Sequence, residues 1–448
     1  MKKRWIILMT LMVIISIIGV FTPESADLWE PDAKVNYADV AWMITATIFV
    51  LMMTPGLSLF YGGMVRQKNV ISTILQSFIA MGVISVIWVV FGFSLAFGDD
   101  IGSFVGNPAT FFMFSGVGAK TNELLAPTIP LALFALFQMK FAIITPSLIT
   151  GSFAERVRFS AYLVFMMLFC IFVYCPLAHW TWHPDGFLRQ MGVVDFAGGI
   201  VVHASSGVAA LAGAMFLGKR NDQKVSHAPA NIPFVILGAA MLWLGWFGFN
   251  AGSSLAANGV AVKAFLNTNT ASATAMLVWV FFDCLRGRKP SAMGAAIGAV
   301  VGLVAITPSA GYVTIGQSIF IALVTTIVCN VAVHWKNKNF VDDALDVFPT
   351  HGVGGILGTI LTGVFVNGLV AGHIHVFLVH LLAVVIVSVY TFVVTYALYW
   401  LTNKMIPMRV SAESEQIGLD ISQHDEQYGI GSGERELAEY LEDEPEKH

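Results

Sequence analysis

Apolar runs long enough to cross a bilayer recur along this chain up to about residue 402. Inside hydrocarbon every backbone amide needs a partner within the protein, which leaves only helices and closed barrels. Runs of roughly 20 residues select helices, because a spanning strand needs only about 10. Charge agrees: 12% of the residues are charged, about half the share of a soluble domain. The expected fold is therefore an all-α polytopic membrane protein. The four cysteines lie in or beside apolar segments without a CxxC pair, so they read as free thiols.

Eleven spans are expected, at 37–61, 70–97, 128–151, 159–180, 196–217, 233–253, 268–285, 291–308, 312–335, 347–370 and 376–402. Before them, Lys2, Lys3 and Arg4 precede an apolar run from Trp5 to Phe21, followed by polar residues to Ala26. Residues 1–26 read as a secretory signal peptide; the alternative is an uncleaved helix. The transmembrane domain then covers 27–402, and 403–448 form a tail. Basic residues test the count, because Lys and Arg gather on the cytoplasmic side. Fourteen lie after odd-numbered spans (Arg66 and Lys68 first, Lys224 and Lys338 among them, Arg409 last) and four in the other loops: Lys34, Lys120, Arg189 and Lys263. That alternation predicts a multi-pass protein of the cell (inner) membrane, N-terminus outside and C-terminus inside.

Two histidines lie within these spans, each after an aspartate: Asp195-FAGGIVV-His203 and Asp346-VFPT-His351. One ionisable residue at membrane depth can be a core histidine bonded to a carbonyl, but a matched pair points to function. Span 5 runs inward from Asp195 and span 10 outward from Asp346. An odd separation of five spans implies inverted halves, a 5+5 repeat plus a final helix. At about 1.5 Å per residue, His203 lies roughly 12 Å below Asp195 and His351 roughly 8 Å above Asp346. The imidazoles bracket the midplane. Gly238, Gly245, Gly248 and Gly252 in span 6, with Gly354, Gly355, Gly358 and Gly363 in span 10, suit close helix packing and a narrow lumen.

Aromatic residues cluster around the same segments: Phe137, Gln138, Lys140 and Phe141 in span 3, Trp180 and Trp182 ending span 4, and Trp246, Phe249 and Ser253 in span 6. Singly, each is more often packing or an interfacial belt. A ring face beside a hydroxyl also suits a small cation.

The strings DFAGGIVVH (195–203), GWFGFNAGS (245–253), AITPSAGY (305–312), DVFPTHGVGG (346–355), FAERVRFSA (153–161) and PGLSLFYGGMVRQKN (55–69) resemble the Amt/Rh ammonium transporters. The resemblance spans about residues 38–428 and favours the bacterial Amt branch, since Trp182 and Ser253 accompany both histidines. It implies the Amt/Rh fold and an ammonium transporter rather than an enzyme. Trp182, Phe141, Phe249 and Ser253 would bind ammonium, the two phenylalanines forming a gate. Asp195, Phe137, Gln138, Trp246 and Thr307 would line that neighbourhood, and His203 with His351 would relay protons. Counting from the span ends puts Phe141 and Phe249 at different depths, so span 3 would have to begin above the bilayer. The family also implies a homotrimer and a cytosolic PII-type regulator; no cofactor, metal or nucleic acid is implied.

Lys140 departs from the family, where that position is usually uncharged; the expectation is that it stays off the conduction path. From Ser411 to His448 there are 12 acidic and 2 basic residues, which suits a solvated tail, disordered from Gly431. Within it, 418–428 resembles the family's C-terminal segment, with Asp425 where glycine is usual. Asp342, Asp343 and Arg156 are candidates for docking it. Two rivals remain: a haem held by the histidines, and an ammonium sensor that conducts little, whose usual fused signalling domain is not expected here.

Overall fold

A computed structural model describes residues 2–25, 27–221, 228–338 and 341–429. Lys224 and the tail from Gly431 lie outside the described residues. Among those residues nine helices are long and apolar enough to cross a membrane. They are α1 (Tyr37–Met64), α2 (Gln67–Phe97), α3 (Leu131–Phe153), α4 (Phe159–Gln190), α5 (Gly199–Leu217) and α6 (Ile232–Ala251), then α9 (Ile315–Lys336), α10 (Phe348–Ala371) and α11 (Ile374–Met405). Two further helices occupy the remaining expected spans, α7 (Gly259–Leu285) and α8 (Ala292–Ile306). The run before them is helical as well, over Lys2–Phe21.

Local chemistry sets where these helices begin. Asn36 accepts from the amides of Ala38 and Asp39 to start α1, Asn231 from Phe234 to start α6, and Ser291 from Gly294 to start α8. Helix α7 starts nine residues ahead of the expected 268, with Asn258 accepting from the Ala261 amide. An apolar-run criterion misses this stretch because its polar side chains are bonded inside the protein. Asn267 donates to the carbonyls of Ala310 and Val313, and Thr268 accepts from Asn250. Lys263 therefore sits on a helix rather than in a loop, its ammonium on the Tyr312 carbonyl.

Helices α1 and α6 pack backbone to backbone. A Cβ on Gly238 would come within 2.4 Å of the Phe60 amide, so only glycine permits this approach. α3 is the most enclosed helix, and α11 turns Val385, Val389 and Val393 outward as a lipid-facing stripe.

At the Asp346 end, buried charges tie four loops together. Glu155 pairs with Arg66 at 2.7 Å and Arg220 at 2.9 Å, and Arg220 pairs with Asp342 at 2.8 Å. Burial pushes the Glu155 carboxyl up, but hydrogen bonds from Arg66 and the charge of Arg220 outweigh it and hold it at about 2. Asp342 is held at about 2 by the same balance, with Arg220 and Arg156 as the opposing charges. Asp342 is thus committed to Arg220 and, at 3.5 Å, to Arg156, and tail docking falls to other groups. Asp420 accepts from the amides of Ile71 and Ser72, the Leu419 amide donates to Asn69, and Glu415 binds Arg409 and Asn221. Arg156 contributes only its carbonyl, which takes the Val410 amide. Asp343 caps the Phe348 amide instead.

Candidate functional site

Asp195 and the segment around it form one wall of the site. The Asp195 carboxylate accepts from the amides of Gly198, Gly199, Ile200 and Val201 at 2.6 to 3.2 Å. It thus satisfies the orphan donors at the start of α5, a negative charge on the positive helix end. Its backbone carbonyl takes the Trp182 indole N–H at 3.0 Å. In the other half the correspondence shifts: Asp343 is the cap, while Asp346 pairs with Lys336 at 2.5 Å. The sequence strings suggested Asp346 for that place; Asp343 stands five residues before the helix start at Phe348, close to the four that separate Asp195 from Gly199, whereas Asp346 stands only two before it.

His203, Phe249 and His351 each sit on a π-helical turn, at Gly199–Ala204, Phe247–Ala251 and Phe348–Gly352. Such turns rotate a side chain out of ordinary helical register and concentrate at functional sites. No simple residue pattern marks them, so the sequence reading missed them. α5 and α10 cross where Gly207 meets Gly352 and Gly355 meets Gly199, which brings the imidazoles together. Their Nδ1 atoms are 3.3 Å apart, and both rings are buried. One Nδ1 therefore carries the hydrogen and the other accepts it. Among the described residues the Nε2 of His203 has no hydrogen-bond partner. A haem does not fit, because its iron and ring would need the space the two nitrogens already close.

Above the pair stand the aromatic residues. Phe249 lies 5.8 Å and Trp246 5.2 Å from the His203 ring, centroid to centroid. Phe141 stacks on Phe249 at 4.2 Å, and Trp182 meets Phe141 edge-on at 5.7 Å. Phe137 packs on Phe141 at 4.9 Å. The depth mismatch resolves because Phe137 lies level with Gly252, close enough to touch a Cβ there. α3 thus begins about 9 Å, or six residues, beyond the end of α6. Trp246 donates to Thr307, whose hydroxyl passes on to the Leu303 carbonyl, fixing the indole under the phenylalanines.

A cavity of about 510 Å³ opens on the Asp195 side of this stack, and Gln138, Phe141, Trp182, Asp195 and Ser253 all line it. The Gln138 carbonyl oxygen is buried without a hydrogen-bond partner among the described residues. Ser253 donates to the Phe249 carbonyl, leaving its oxygen free to accept. Past the stacked rings the space shrinks to two voids of about 10 Å³ each. The first is lined by Leu57, Ile144, Leu242, Phe249 and both histidines, the second by Tyr61, Leu345, Thr350 and His351. Each has room for about one water-sized molecule. Lys140 lines none of these three spaces; it is buried, with Nζ 3.8 Å from the Met139 sulfur.

Fold and site together define a class: a polytopic helical membrane protein whose bundle encloses a narrow apolar passage, with a wide cavity at one end and two histidines inside. Residues 41–428 match the Ammonium Transporter Family model, and the chain belongs to that family. A putative ammonium transporter of Methanothermobacter thermautotrophicus is 45% identical over 87% of this chain and 98% of its own length. The ammonium transporter of Bacillus subtilis is 44% identical over 87% of this chain and 97% of its own. Among solved structures, Candida albicans Mep2 superposes with a TM-score of 0.81 at 34% identity, covering 92% of this chain and 93% of that one.

Proposed function

We propose that this protein carries ammonium across the cell membrane by releasing its proton in the wide cavity and passing neutral ammonia between the histidines. The supporting observation is the His203–His351 contact at 3.3 Å inside a passage whose voids hold one small molecule each. Moving an ion of ammonium's size into a low-dielectric medium costs on the order of 20 kcal/mol before compensation. Loss of the proton removes most of that cost.

The cavity residues supply what capture requires. Trp182 and Phe141 offer ring faces to a cation, and Ser253 and Gln138 offer acceptors for its N–H groups. The Phe141–Phe249 stack then excludes water and hydrated ions. Below it, ammonia can donate to or accept from the unpartnered Nε2 of His203. The proton travels separately along the imidazole pair, whose ordinary pKa near neutrality suits a relay. Potassium has no proton to give up and stays outside. The wide cavity is read as the outer one, from the loop basic residues. Residues 1–26 are read as a cleaved signal, and three copies as the assembled unit, with a PII-type protein as the cytosolic partner.

The test is direct. Protein in liposomes on a solid-supported membrane is pulsed with ammonium and, separately, with potassium. A saturable current with ammonium alone supports the reading; equal currents with both ions, or none, refute it.

A further inference from the structure

A second buried histidine network touches the cavity from behind. His380, on α11, is fully buried and lines none of the three spaces. Its Nδ1 lies 2.7 Å from the Val376 carbonyl, and its Nε2 lies 3.0 Å from the Val194 amide. A carbonyl only accepts, so Nδ1 carries the ring hydrogen; an amide only donates, so Nε2 is bare. The two bonds fit one neutral tautomer. α10 closes the other side, for a Cβ on Gly363 would meet the His380 Cβ at 2.9 Å.

Val194 and its neighbours Val193 and Asp195 form part of the cavity wall. Asp195 is also the residue whose carbonyl holds the Trp182 indole and whose carboxylate caps the helix carrying His203. That segment enters α5 through Gly198 at φ +112°, after a turn at Gly192 of φ +89°. No regular helix or strand fixes it between Gln190 and Gly199. Two cross-bundle bonds hold it instead: the Phe196 amide donates to the Pro308 carbonyl at 3.0 Å, and the Val194 amide to His380 ties it to α11.

We infer that His380 is a positioning residue for the ammonium site: it holds the Val194–Asp195 wall so that Trp182 keeps its place. The inference rests on the transport reading above. It predicts an effect on capture rather than on passage, because His380 touches neither the stacked phenylalanines nor the histidine pair.

The experiment compares wild type, His380→Leu and His380→Gln in liposome currents and in hydrogen exchange of the peptide containing Val194. Leu keeps the bulk but removes the acceptor; Gln puts its amide oxygen about where Nε2 sits. His380→Leu is expected to raise KM about five-fold, the worth of one net hydrogen bond, with maximal current retained. Val194 exchange should be faster in His380→Leu and close to wild type in His380→Gln, which also restores KM. Wild-type KM and exchange in His380→Leu would overturn the inference, as would a His380→Gln as impaired as His380→Leu. A wild type without ammonium current refutes the transport reading instead, while the exchange comparison still tests the anchor.

Discussion

Placing one methyl group at the α5–α10 crossing tests whether backbone contact is what brings the histidines together. A Cβ on Gly207 would lie 2.0 Å from the Gly352 amide nitrogen and 2.2 Å from its Cα. Both are backbone atoms, so no rotamer change relieves the clash. Restoring ordinary contact of about 3.4 Å requires the helices to part by about 1.4 Å. His203 sits one turn before Gly207 and His351 adjoins Gly352, so that opening carries the Nδ1–Nδ1 separation from 3.3 Å to about 4.7 Å, beyond hydrogen-bond reach. Gly207→Ala should therefore cost about 1–3 kcal/mol through overpacking and lower ammonium current at least about ten-fold, the effect of some 1.4 kcal/mol on a rate. The control is Gly82→Ala on α2, where nothing lies within 4 Å of the new Cβ; it should melt at or above wild type. Melting temperature and liposome current are read on all three proteins. A Gly207→Ala protein that melts and conducts like wild type would refute the reasoning.

Acid stability should follow the buried acids at the Asp346 end. Folded-state values of about 2 for Glu155 and Asp342 lie below the ordinary 4.5 and 3.8, so their stabilisation is present above pH about 4.5 and is lost as pH falls towards 2. Thermal melts should be flat from about pH 7 to 5 and then decline, less steeply in Glu155→Gln; a decline starting near neutrality contradicts this. Asp425 caps the turn after His424 at φ +56°, so Asp425→Gly should steady the docked segment by about 0.5–1 kcal/mol. Slower hydrogen exchange over 418–428 is expected, and faster exchange would count against it. Lys140→Met should leave ammonium uptake within about two-fold of wild type, since Lys140 lines no part of the passage; much faster uptake would mean its charge reaches the path.

The spans and the histidine pair were legible because both rest on the high cost of polar groups in hydrocarbon. A run of apolar residues must be helical there, and an imidazole needs a reason to be present. The start of α7 was hidden for the converse reason: Asn267 and Thr268 pay no such cost once bonded to neighbours, and only the cap at Asn258 signalled the true start. The residues of the wide cavity were named from family strings. Their convergence was not derivable, because the Phe141–Phe249 stack depends on α3 standing out beyond α6. The π-helical turns that aim His203, Phe249 and His351 have no composition of their own. Tail docking was assigned to Asp342, Asp343 and Arg156 on charge alone, whereas those charges were already bound to other partners in the fold.

The transport proposed above requires that ammonium cross only because a histidine pair carries its proton apart from ammonia. It is tested by ammonium-evoked current in liposomes holding wild-type protein or His203→Ala at equal density. Wild type should give a saturable current that is lost in His203→Ala, with melting behaviour kept. A current of wild-type size through His203→Ala would contradict it.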